Sequence, residues 1–276
     1  MKRVLRVTKM SGAGNDFVVL GPNEARQIAQ ELPAWTRRVC RRGLSIGGDG
    51  VLAVERSRND RVRVRFYNPD GGESFCGNGS RCAARYAHLH GFAGESMVLE
   101  TMIGDVPAEV DGGNVRLFLA LPEDRGAVSL EKDGARLEGR FLVAGVPHLV
   151  VLVEDVAVAA LEVWGPWIRR HPHFAPEGTN VDLIGWRSDG SLAIRTWERG
   201  VEGETLACGS GAVAAAAVVR GRAPSDRVRV VPASGVPLVV SFEQRSDREI
   251  VVLQGDARMV FEGTLTDEAT SGFSTC

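Results

Sequence analysis

The chain has 276 residues, of which 44% are hydrophobic and 25% charged, and 33 basic against 35 acidic side chains leave a net charge of −2. This is the composition of a globular protein with a core of its own, and it excludes disorder and collagen-like repeats. There is no basic excess to attract nucleic acid or an anionic membrane surface. Lysine occurs only as Lys2, Lys9 and Lys132. So few lysines argue against a pyridoxal-phosphate enzyme, which needs one for its Schiff base. The cysteines, Cys40, Cys76, Cys82, Cys208 and Cys276, are odd in number and too sparse for a secreted disulfide scaffold. The N-terminal stretch MKRVLRVTKMSGAGNDF has no apolar signal region, and the longest apolar run, Ala212–Val219, is far too short to span a bilayer. A reduced, cytoplasmic protein is expected.

Read in chain order, Arg3–Thr8 and Phe17–Leu20 are short β-branched runs. Glu24–Leu32 and Ala34–Arg42 then carry a helical period. Strands are predicted at Gly50–Val54 and Val62–Tyr67, an Ala-rich helix at Gly79–His90, and strands at Val115–Leu119, Leu142–Ala144 and Leu149–Val153. Asp155–Trp164 and Pro166–His171 read as short helices. Ser191–Trp197 reads as a strand and Gly209–Arg220 as a second Ala-rich helix. Arg227–Val231, Leu238–Phe242, Ile250–Leu253 and Met259–Phe261 close the series as strands. Strands do not alternate strictly with helices, so the class is α+β rather than a doubly wound parallel sheet.

The two halves echo each other. RVRFYNPDGGESFCGNGSRCAARYA (63–87) and AIRTWERGVEGETLACGSGAVAAAA (193–217) each run from a strand ending in an aromatic, through a Gly-rich acidic loop with a glutamate (Glu73, Glu204), to Cys-Gly-x-Gly and an Ala-rich helix. KMSGAGNDFVVL (9–20) and VAGVPHLVVLV (143–153) form a second matching pair. Two similar domains are expected, residues 1–121 and 122–261, with segment 262–276 free to return to the first.

The repeat draws attention to Cys76 and Cys208. Each precedes a helix whose first N–H groups are unpaired and whose dipole end is positive, which should lower a thiol pKa and offer donors to a carboxylate. One such cysteine would be an ordinary helix-entry residue. Two, related by a duplication, suit removal of a proton from one face of a carbon and its return to the other. The spacing of Cys76, Cys82, His88 and His90 fits a zinc site poorly, and no redox C-x-x-C is present. A Cys76–Cys208 disulfide formed on oxidation is a further reading. Cys40, Cys82 and Cys276 read as structural. Asn15, Asn68, Asn78 and Asn180 lie in loops beside strand or helix starts, where Asn is common for turn geometry alone. Arg199 is either a surface charge or a bidentate grip on a carboxylate. His148 and Glu198 are either core-edge residues or proton partners of a thiol.

Over nearly the whole chain these motifs resemble the diaminopimelate epimerases. The matching segments are KMSGAGNDFVVL (9–20), SIGGDGVL (45–52), NPDGGESFCGNGSRCAAR (68–85), GVPHLVVLVEDV (145–156), HPHFAPEGTNVDLI (171–184), ERGVEGETLACGSGAVAAAA (198–217) and GDARMVFEGTL (255–265). The resemblance implies two pseudo-symmetric domains, each a β-barrel-like sheet around a central helix, with the site in the cleft between them. It implies a homodimer and interconversion of LL- and meso-diaminopimelate, in lysine and peptidoglycan synthesis, without metal or organic cofactor. By motif position, Cys76 and Cys208 are the acid/base pair, and His148 and Glu198 set their protonation. Gly77, Asn78, Gly209 and Ser210 hold the α-carboxylate through backbone amides, and Asn15, Asn68, Asn180, Glu198 and Arg199 contact substrate. The chain departs from the family pattern at Val146, where an asparagine is usual. It departs at Gly50, where some members carry glutamine, and at Phe261, where an interface tyrosine is often found. The Asn68–Cys76 loop is one residue shorter and the Glu198–Cys208 loop one longer than usual. Three other readings are open: a racemase of another amino acid, of histidine or proline type, on the same fold; a phenazine-biosynthesis-type isomerase of related fold, against which the paired Cys76 and Cys208 argue; and a non-catalytic amino-acid-binding protein.

Overall fold

The computed structural model describes residues 5–223, 225–245 and 247–270. Cys276 and the first two residues of the predicted strand Arg3–Thr8 lie outside these. The chain divides into two units, Met1–Leu117 with Gly255–Cys276, and Phe118–Gln254.

The first unit contains β1 (Leu5–Gly12), β2 (Asn15–Leu20), α1 (Pro22–Gln27), α2 (Leu32–Val39), β3 (Gly50–Arg58), β4 (Arg61–Tyr67), β5 (Glu73–Ser74), α3 (Gly77–Leu89), β6 (Ser96–Thr101), β7 (Gly104–Asp111) and β8 (Asn114–Leu119). Pairing is antiparallel except for β2 with β3 and β4 with β6, which run parallel. The second unit follows the same plan. Its elements are β9 (Glu123–Lys132), β10 (Ala135–Val143), β11 (Pro147–Leu152), α4 (Leu161–Arg169), β12 (Asn180–Trp186), β13 (Leu192–Glu198), β14 (Gly203–Thr205), α5 (Gly209–Val219), β15 (Arg227–Val231), β16 (Leu238–Arg245) and β17 (Arg248–Asp256). Here β11 with β12 and β13 with β15 are the parallel pairs. The last strand, β18 (Arg258–Leu265), pairs antiparallel with β1 in the first unit, as β9 pairs with β10 in the second.

In each unit one helix is enclosed by strands. α3 touches β1, β2, β3, β4, β6 and β7, and α5 touches β10, β11, β12, β13, β15 and β16. The sequence of α5, GSGAVAAAAVV, explains this position: it is apolar all round, so no face is left for water, and its side chains are small enough for strands to approach from every side. The remaining helices cover the outer faces. Leu32, Trp35 and Val39 of α2 join Leu5, Val18, Leu20 and Val51 in one core cluster, and Leu161 and Ile168 of α4 join Leu149, Val181 and Leu183 in another.

The acidic loops also repeat. Arg65 on β4 grips Glu73 through both carboxylate oxygens, at 3.0 and 2.7 Å. Arg195 on β13 grips Glu204 in the same way, at 2.8 and 2.7 Å. Both glutamates that the repeat singled out thus clamp the short strand ahead of each cysteine.

Several elements differ from the sequence expectation. The two short helices predicted around Pro166 are one helix, Leu161–Arg169, with Pro166 inside it. Residues 155–160 are not helical, because the Asp155 carboxylate turns back to accept the Ala157 N–H at 2.8 Å. Strands β6, β7, β9 and β12 were not expected. Pro107 interrupts β7 and Asp182 interrupts the apolar run of β12, so neither shows a clean strand pattern. At Gly50 a side chain would not fit: a Cβ there would lie 2.3 Å from the Phe66 ring.

Candidate active site

In the first unit, Cys76 is the N-cap of α3, and its Sγ accepts the Gly79 N–H at 3.3 Å. The extended Cys76 backbone (φ −137°, ψ 115°) lets the thiol fold back over the helix start. Beside it runs a hydrogen-bonded chain of amides. The fully buried Arg81 guanidinium, which can only donate, gives a 2.9 Å bond to Asn78 Oδ1. This fixes the Asn78 amide, whose Nδ2 donates to Asn15 Oδ1 at 2.5 Å. Asn15 Nδ2 in turn donates to Asp49 Oδ2 at 3.0 Å. Asp49 also accepts the Asp16 N–H at 3.0 Å and pairs with Arg42 at 2.9 Å. Asn15 and Asn78 are therefore brought together, at the end of β2 and the first turn of α3. Asn68 instead shapes its own turn, donating to Ser74 Oγ at 2.9 Å.

The second unit repeats the cap with different chemistry. Cys208 is the N-cap of α5, and its Sγ accepts the Gly211 N–H and contacts Ser210 Oγ, both at 3.4 Å. Ser210 Oγ lies 2.9 Å from His148 Nε2, and His148 Nδ1 lies 2.7 Å from Asp182 Oδ2. The His148 and Asp182 side chains have no exposed surface. Thr196 Oγ1 donates to the other Asp182 oxygen at 2.7 Å. Asn180 stands across the parallel β11–β12 register from His148. Its Oδ1 accepts the Arg199 N–H at 2.7 Å and its Nδ2 donates to Pro147 O at 3.0 Å. Glu198 Oε1 accepts the Thr205 hydroxyl at 2.5 Å. The Arg199 side chain rests on Glu177, with its guanidinium 3.4 Å from the backbone O.

The electrostatics of this half correct one expectation. A helix N-terminus should lower the Cys208 pKa, but the thiol is pushed well above its ordinary value. Burial is the main cause, followed by the Glu198 and Asp182 carboxylates, and the Ser210 hydroxyl and the Gly211 N–H offset only part of this. Burial likewise raises the Glu198 carboxyl, against smaller opposing effects of Thr205, His148 and Cys208. Cys208 therefore rests as a thiol. Cys40, the C-cap of α2, and Cys82 within α3 are buried residues whose thiols burial raises to about 12.

Of the residues singled out in the sequence, the structure gathers Cys208, Ser210, His148 and Asn180 in the second unit and Asn78 with Asn15 beside Cys76 in the first. The sequence did not single out Asp182, Thr196, Thr205, Asp49 and Arg81, which hold those groups in place. The one available signal was Asp182 itself, a carboxylate inside the otherwise apolar strand NVDLIGW and on the same strand face as Asn180.

A family model described as diaminopimelate epimerase matches residues 7–119 and 141–260, one segment for most of each repeat. The chain belongs to the diaminopimelate epimerase family. A diaminopimelate epimerase of Aquifex aeolicus is 38% identical over 94% of this chain and 97% of its own length. One of Hydrogenobaculum is 36% identical over 95% of this chain and 99% of its own. Among solved structures, a PhzF-family phenazine biosynthesis protein of Bacillus anthracis superposes with a TM-score of 0.72 at 14% identity, covering 96% of this chain and 99% of that one. A probable proline racemase of Agrobacterium radiobacter gives 0.70 at 17% identity, over 95% of this chain and 93% of that one. At such identities these two share the fold. No helix among the described residues is long and apolar enough to cross a membrane.

Proposed function

We propose that this protein is a diaminopimelate epimerase, which interconverts the LL and meso forms of its substrate by two-base proton transfer between thiol groups. The observation that carries the reading is the repeated helix cap: in a member of this family, each of two like-built units places a cysteine sulfur on the N–H groups of its central helix. One thiolate removes the α-proton and the other group, as a thiol, delivers a proton to the opposite face. The first-turn amides of Gly77, Asn78, Gly209 and Ser210 take the α-carboxylate, where they stabilise the charge that develops as the proton leaves. Asn15, Asn68, Asn180, Glu198 and Arg199 complete the contacts to substrate, and His148 and Glu198 tune the Cys208 thiol. Neither thiol needs an organic cofactor or metal for this step. The protein works in the cytoplasm as a homodimer.

The test is turnover in deuterated water. Wild-type protein should exchange the α-proton of diaminopimelate as it epimerises. Cys76→Ala and Cys208→Ala should each lower epimerisation at least about 10²-fold, because general acid–base catalysis loses one partner. Near-normal turnover in either variant, or exchange confined to histidine or proline, would overturn the assignment.

A further inference from the structure

The hydrogen-bonded chains beside the two cysteines differ in kind. Beside Cys76 the chain passes through amides, Arg81 to Asn78 to Asn15 to Asp49. An amide can pass on orientation but does not take up a proton near neutrality. Beside Cys208 the chain passes through an imidazole. We infer that Asp182, acting through His148 and Ser210, is the positioning residue that lets the Cys208 thiol give up and regain its proton. The inference rests on reading Cys208 as an acid–base group.

The tautomer of His148 follows from its neighbours. The Arg199 backbone N–H can only donate, so the Asn180 atom 2.7 Å away is its oxygen. Asn180 Nδ2 then donates to Pro147 O at 3.0 Å. The Asp182 carboxylate oxygen 2.7 Å from Nδ1 can only accept, so Nδ1 carries the proton and Nε2 of the neutral ring carries the lone pair. The Ser210 hydroxyl donates to Nε2, and its oxygen is left to accept from the Cys208 thiol.

The proton path balances. The Cys208 S–H bond breaks as an O–H bond forms on Ser210, whose former proton passes to His148 Nε2. Sulfur keeps the electron pair as thiolate. The imidazolium so formed is held against the Asp182 carboxylate, and the reverse transfer restores the thiol. The titratable groups facing Cys208 are Glu198 on β13, Asp182 on β12 and His148 on β11. The two carboxylates oppose ionisation of the thiol, so an acceptor paired to one of them is what makes the thiolate reachable. The second glycine of the motif belongs to the same device: a Cβ on Gly211 would lie 2.7 Å from Asp182 Oδ1.

The experiment compares full-length wild type, Asp182→Asn and Ser210→Ala. The rate of Cys208 alkylation by iodoacetamide, read by peptide mass, is followed from about pH 6 to about pH 10. Asp182→Asn keeps the shape but cannot balance an imidazolium. Losing the counter-charge of the imidazolium outweighs losing the carboxylate's direct opposition to the thiolate, so its Cys208 midpoint should rise by about one pH unit or more, with about a tenfold lower rate near pH 8, while the Cys76 midpoint stays in place, and a lowered midpoint overturns the inference. Ser210→Ala should raise the Cys208 midpoint in the same direction. A folded Asp182→Asn protein with an unmoved Cys208 midpoint overturns the inference. Imidazole nitrogen NMR of the wild type gives a second answer that no folding defect can obscure. Nδ1-protonated neutral His148 supports the relay, and the Nε2-protonated form refutes it. Neither measurement needs substrate, so failure to epimerise diaminopimelate would count against the function and leave the relay standing.

Discussion

Gly79 and Gly211 occupy the same place in the two motifs but answer to different neighbours. A Cβ on Gly211 would press on the Asp182 carboxylate at 2.7 Å and on Thr196 Oγ1 at 3.3 Å. On Gly79 it would meet the end of a flexible leucine, Leu52 Cδ2, at 3.2 Å. Gly211→Ala should therefore displace Asp182 and cut kcat about tenfold or more, whereas Gly79→Ala should cost a few-fold at most, as steady-state kinetics on both variants would show. The candidate thiol, imidazole and amide groups were legible in the sequence, because Cys, His and Asn at motif positions stand out among apolar neighbours. The residues that orient them were not. Asp182 lies in a segment where no strand was expected and Thr196 inside a predicted strand, and neither stands out until the β11–β12 register places Asp182 behind His148.

The enclosed helices were the most legible elements, since an Ala-rich run after Cys-Gly-x-Gly has few other uses. The outer helix α4 was less so, because Pro166 divides its pattern. Its packing depends on the residue before that proline. Gly165 lies so close to Trp197 on β13 that a Cβ would fall 2.7 Å from the indole ring. Gly165→Val should therefore lift α4 off the sheet and destabilise the protein by about 1–3 kcal/mol, measured by urea unfolding. Trp197 immediately precedes Glu198, so the same variant should also weaken control of the Cys208 thiol.

The whole molecule is a duplication, visible in the pairing order of its strands and in the two segments matched by the family model. The echo between residues 63–87 and 193–217 was enough to expect it, because the acidic loop, the cysteine and the helix recur in order. Strands β6 and β9 escaped notice because each buries only a pair of alternating side chains, Met97 with Leu99 and Val128 with Leu130, and Pro107 masks β7. At this scale the buried thiols set a limit on alkaline stability. Cys40 and Cys82 titrate at about 12 when folded, against an ordinary value of 9.0. A raised pKa means that the folded state holds the proton more tightly. The stability this provides is complete below pH 9 and is lost as pH climbs from 9 towards about 12. The thermal midpoint should fall across that window, and Cys82→Ala should flatten the fall, as calorimetry in a pH series would reveal.

The mismatch between an amide chain in one unit and an imidazole chain in the other bears on reversibility. A reaction that merely exchanges two stereoisomers invites the assumption of kinetic mirror symmetry. Equilibrium thermodynamics fixes only the quotient of the forward and backward kcat/KM values, leaving the individual constants unconstrained. Saturation behaviour in opposite directions can thus diverge with acidity even though that quotient never moves.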